Sequence, residues 1–146
     1  MNGIKMSDCR FYVNEQARTV ICVIPNTQYM LRDFIYQHFQ FKDVDIWEAT
    51  NWNMINKIAM PYSFMGKAVC TPEDEWNEEL GRMLAFSRAK DKCYKSFFKR
   101  ANQLVQAVDK RLNDMITMFN DFGMKLDSKR EALQAKIEER IPKGAE

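Results

Sequence analysis

The stretch Thr71-Pro72-Glu73-Asp74-Glu75-Trp76-Asn77-Glu78-Glu79-Leu80-Gly81-Arg82-Met83 decides the fold. Thr71 has the side chain of a helix N-cap, Pro72 suits the first helical position, and Asp74 and Glu75 suit the positive end of a helix dipole. From Trp76 onward apolar residues return at steps of three and four. They run through Leu80 and Met83, and then Tyr94, Phe98, Ala101, Val105, Val108, Leu112, Met115 and Phe119. That rhythm predicts one amphipathic helix with one apolar face. No proline interrupts it, and the next breaker is Gly123. Such a helix would be roughly 70 Å long at ~1.5 Å per residue. A compact domain of this size has a radius of gyration near ~15 Å. The apolar face therefore calls for a partner, and the expectation is a homo-oligomer, a dimer or higher.

Working toward the N-terminus, Tyr62 to Cys70 alternates enough to be a strand feeding the helix. Cys9 to Pro25 reads as a β-hairpin: Phe11 and Val13 alternate with polar residues, Asn14-Glu15-Gln16-Ala17 turns, and Thr19 to Ile24 is strongly β-prone. Gln28 to Phe39 suits a short helix capped near Asn26 or Thr27. Phe41 to Met60 leaves strand and helix open. Toward the C-terminus, Asn120 to Gly123 reads as a turn, and Ser128 with Glu131 as the capping box of a last helix ended by Pro142. The expected fold is α+β in a single domain, 1–146. Residues 1–70 are mainly an antiparallel sheet with a short helix. Residues 72–141 form a helical hairpin, a long helix and a shorter antiparallel one.

Composition excludes several function classes. The 46% hydrophobic content is ample for a core, and a net charge of +2 says little about partners. Cys9, Cys22, Cys70 and Cys93 form no CxxC pair, and with His38 as the sole histidine a zinc site is not expected. The cysteines read as reduced and mostly buried. No apolar stretch is long enough to span a bilayer, and no signal region opens the chain, so no membrane role and a cytoplasmic location are expected. A nucleophilic triad lacks its base, since His38 sits between aromatic residues without a serine or cysteine context. The five glycines make no phosphate-binding loop. Acidic residues ahead of the basic run disfavour nucleic acid. The expectation is a protein that is not an enzyme and carries no cofactor.

Recognition remains. Arg88 and Lys92 stand at i and i+4, one turn apart, where two long cations can clamp a phosphate or pyrophosphate. The apolar stripe weakens there, with Ser87 and Asp91 in its path. Aromatics crowd upstream at Trp47, Trp52, Tyr62, Phe64 and Trp76, and an aromatic face beside cations could stack a base.

The segment Gly66-Lys67-Ala68-Val69-Cys70-Thr71-Pro72-Glu73-Asp74-Glu75-Trp76 continues to Gly81-Arg82-Met83-Leu84-Ala85-Phe86-Ser87-Arg88-Ala89. This resembles a pattern of small phage proteins: a strand ending G-x-A-x-C, then x-P-x-D-x-aromatic, an acidic turn, and G-x-x-L-A-x-x-R-A. It is similar to the anti-Thoeris sponge proteins, which sequester cyclic ADP-ribose isomers made by bacterial TIR enzymes. The strict match covers about a fifth of the chain. The resemblance implies a viral counter-defence protein in the host cytoplasm, with an N-terminal antiparallel sheet, two C-terminal helices and no catalysis. It places ligand contacts at Arg88 and Lys92, at Thr71 just after the cysteine, and at the aromatic Phe64. Thr71 stands where asparagine is expected and Lys92 where arginine is expected, and both changes weaken bidentate contacts. The alternative from another class is a phage inhibitor that binds a host defence protein directly, of the anti-CRISPR type.

Overall fold

The computed structural model describes residues 3–38 and 59–141. The chain divides into two compact units, Met1–Val105 and Gln106–Glu146. In the first unit a short 3-10 turn (Met6–Asp8) leads into strand β1 (Arg10–Asn14), strand β2 (Thr19–Ile24), helix α1 (Met30–His38) and strand β3 (Phe64–Val69). Helix α2 (Glu78–Arg140) begins in the first unit and makes up the described part of the second. The fold is α+β, a three-stranded antiparallel sheet followed by a long helix.

The hairpin forms where its side chains ask for it. Asn14 Oδ1 accepts from the Ala17 amide at 2.9 Å, and the Arg18 amide donates to Glu15 O at 3.0 Å. Arg18 completes the turn with a φ of 50°, the left-handed region. Val20 then faces Val13, Cys22 faces Phe11, and β2 pairs on its other side with β3, Cys22 against Gly66. Strand β2 is the central strand in the order β1-β2-β3. Alternation sends Val20, Cys22, Ile24, Gly66 and Ala68 to one face, where they are buried.

Helix α2 covers that face through the smallest side chains available. Gly81, Ala85, Ala89, Cys93 and Phe97 recur at every fourth residue, and Ala85, Ala89 and Cys93 are fully buried. A methyl group placed on Gly66 would lie 2.0 Å from Ala85 O and 2.4 Å from Ala89 N. One on Gly81 would lie 2.8 Å from a Val20 methyl. The helix backbone rests almost on the strand backbone, and only glycine allows it. Phe97 ends the seam against Phe34 of α1, edge to face at 5.4 Å.

Three expectations need correction. The sequence stripe placed Leu80, Met83 and Phe98 on the buried face, but they are 51%, 54% and 67% exposed. The sheet approaches so closely that the small residues win the interior and the large ones are turned out. Second, Thr71 does not cap the helix. Residues Thr71–Asp74 form a turn closed by the Asp74 amide on Thr71 O at 3.2 Å, and the Thr71 hydroxyl donates to Asp74 Oδ2 at 2.6 Å. The helix starts at Glu78, capped by Asn77, whose Oδ1 accepts from the Leu80 amide at 3.0 Å. Third, there is no helical hairpin over 72–141. Residues Asn120 to Gly123 are helical, as are Ser128 and Glu131, and α2 continues to Arg140, just before Pro142. A lone helical glycine costs only about 1 kcal/mol relative to alanine, too little to break a run of good helix formers. The readings of Phe41 to Ile58, including Trp47 and Trp52, lie outside the described residues.

Candidate basic site on the edge strand

Strand β3 is an edge of the sheet, and α2 runs across it. Two helix side chains one turn apart reach back to this strand. The Arg88 Nη1 group donates to Lys67 O at 2.6 Å, and the Lys92 ammonium donates to Met65 O at 3.0 Å. The two carbonyls are two residues apart, roughly 7 Å along a strand, close to the rise of one helical turn. The i,i+4 pair therefore matches an i,i+2 pair of strand carbonyls. Both cations are exposed, and neither pairs with a carboxylate among the described residues. Elsewhere on the helix Arg82 pairs with Glu78, Lys95 with Asp91 and Lys110 with Asp114, while Arg100, like Arg88 and Lys92, donates to neutral groups, Ala59 O and Ser96 Oγ. At Arg88 and Lys92 the partners are neutral carbonyls, so the positive charge persists. The same contacts cover polar groups of an edge strand, which blunts pairing with another chain.

The other two expected contacts fall elsewhere. Phe64 begins β3 and packs half-buried against the core, on the face shared with Gly66 and Ala68. Thr71 lies beyond the opposite end of β3, in the turn before α2. The structure thus brings Arg88 and Lys92 together, sets Phe64 into the core beside Met65, and separates Thr71 from the cations.

A cleft of about 550 Å³ lies next to the start of α2, and Thr71 is not among the residues that line it. Trp76, Cys70, Asp74, Glu75, Asn77 and Leu84 line it. Two carboxylates make this cleft a poor receptor for phosphate, and neither Arg88 nor Lys92 lines it. Arg18 holds the loop together. Its Nη2 donates to Cys70 Sγ at 3.0 Å, to Thr71 O at 2.8 Å and to Asp74 O, while the Cys70 amide donates to Arg18 O at 2.8 Å. Its Nε is buried without a hydrogen-bond partner among the described residues. Sequence reasoning missed Arg18 altogether. The available signal was a long cation immediately before a β-prone run, at the end of a four-residue turn.

Burial holds three of the four thiols in the protonated form. All four cysteines are free. Burial pushes the Cys22 thiol up to about 12 and the Cys93 thiol up to about 11, and it raises Cys9 as well. No cluster of three or more His, Cys, Asp or Glu side chains able to hold a metal occurs among the described residues. No described helix is long and apolar enough to cross a membrane.

No family model, no curated protein and no solved structure matches this chain.

Proposed function

We propose that the chain is a viral counter-defence protein that binds a cyclic ADP-ribose type signal and sequesters it without cleaving it, working as a homo-oligomer. One observation carries this reading: Arg88 and Lys92 stand side by side, exposed, bound to neutral carbonyls and to no carboxylate among the described residues. An incoming phosphate offers each cation a charged acceptor in place of a neutral one. Charge-assisted hydrogen bonds are roughly twice as strong as neutral ones. The anti-Thoeris pattern supplies the ligand class. The Gly66/Ala85/Ala89 part of that pattern has an independent packing reason, so Arg88 is the residue on which the ligand reading turns. A second reading, direct capture of a host defence protein, is favoured by the exposed apolar side chains along Gln106 to Ile141.

The test is calorimetric titration with cyclic ADP-ribose isomers. Arg88→Ala should weaken binding at least about tenfold, since a charge-assisted hydrogen bond is worth roughly 1.5–3 kcal/mol. Lys92→Ala should weaken it less, and Lys92→Arg should hold or tighten it by offering a fork. Circular dichroism and urea denaturation control for the strand contacts that both side chains make. Unchanged affinity in Arg88→Ala would reduce the pair to a cover for the sheet edge.

A further inference from the structure

The second unit leaves a heptad seam uncovered. From Val108 to Lys136, α2 repeats Leu112, Phe119, Leu126 and Leu133 every seven residues. A second series offset by four runs Val108, Met115, Phe122, Lys129, Lys136. Phe119, Phe122 and Leu133 are 64%, 59% and 60% exposed. This is the a/d pattern of a two-stranded coiled coil, with Leu112 at a and Met115 at d.

We infer that this seam is covered by the same seam of a second copy, running antiparallel and centred between Asn120 and Asp121. The orientation follows from the charges. In a parallel pair each position meets itself, so Lys129 would oppose Lys129 and Lys136 would oppose Lys136 inside the seam. The flanking Lys125 would also face Arg130 of the other copy, a further like-charge contact. In the antiparallel pair a positions meet d positions. Phe119 of one copy meets Phe122 of the other, Leu126 meets Met115, and Leu133 meets Val108. Lys129 then lies beside Leu112, its stem on the apolar surface and its ammonium in water. Asp109 and Arg130, both at the flanking e position, come within about 3 Å of each other along the axis, and two-fold symmetry repeats that complementary pair at both ends. Pairing over about four heptads buries on the order of 800 Å² per copy, the size of a standard stable interface.

The same faces would meet within one chain if the helix turned back at Asn120 to Gly123. The helix passes through these residues unbroken, which leaves the pairing to a second copy. This inference makes no use of the ligand reading, and either can fail without the other.

The deciding experiment is disulfide trapping in the full-length chain, with the unsubstituted protein as control. Met115→Cys/Leu126→Cys together should give a covalent dimer on oxidation, seen on a non-reducing gel and missing in the control. Met115→Cys alone should give none. Its two copies would lie about 16 Å apart along the axis, beyond the ~7 Å limit for a disulfide. A covalent dimer from the single variant would establish parallel pairing and overturn the proposal. A disulfide within the monomer would establish a hairpin and overturn it equally, as would no cross-link at all. Sedimentation of the unsubstituted chain at micromolar concentration should show dimers or assemblies of dimers, and a monomer there would sink the idea.

Discussion

At the scale of single residues, Gly66 carries the tightest constraint in the first unit. A side chain there meets backbone atoms of α2, which cannot rotate away. Gly66→Ala should therefore separate helix from sheet and cost about 3 kcal/mol, the upper end for overpacking, read as a lowered midpoint in chemical denaturation. If that variant is as stable as the unsubstituted chain, the helix does not sit on the strand as described. Cys22 and Cys93 make a second residue-scale test. Their thiols are raised from 9.0 to about 12 and about 11 by burial, so the folded chain holds these protons more tightly than the unfolded one. The stabilisation this gives is complete below pH 9 and is lost as pH rises toward 11 and 12. Thermal midpoints should fall across that alkaline window, and Cys93→Ala should flatten part of the fall.

The element scale belongs to α2. Its start was misplaced from sequence because Thr71-Pro72 has the composition of a cap, yet Arg18 gathers the Cys70–Asp74 loop and keeps it out of the helix. Asn77 then provides the cap six residues later. Its continuity past Gly123 makes a sharp prediction. A methyl group on Gly123 would meet nothing within 4 Å. Gly123→Ala should thus stabilise the helix by up to about 1 kcal/mol, measurable as increased helical ellipticity and a raised melting temperature. Loss of helicity in this variant would mean that the chain turns there after all.

At the scale of the whole molecule, the proposed function requires that a bound ligand leave the protein unchanged. Incubation of a bound cyclic nucleotide with the protein, followed by heat denaturation, should return the ligand intact by chromatography. Recovery of a linear or hydrolysed product would replace the sponge reading with an enzymatic one.

The one-dimensional pattern determined the hairpin, the strand before the long helix, the helical period and the pairing of Arg88 with Lys92 on one helix face. These rest on local rules: alternation by two, recurrence by three and four, and turn chemistry. It also made the Gly66, Gly81, Ala85 and Ala89 run visible as a motif, though without its cause. Only the tertiary structure decided which face of α2 is buried, because that depended on how closely the strand backbone approaches, a distance no periodicity encodes. The same approach brought two carbonyls of β3 within reach of Arg88 and Lys92, and Arg18 across to the loop after Cys70. It also took Thr71 away from both cations. Contacts between residues fifty positions apart are set by packing, and packing is where the local signals for Thr71, Leu80 and Met83 were overruled.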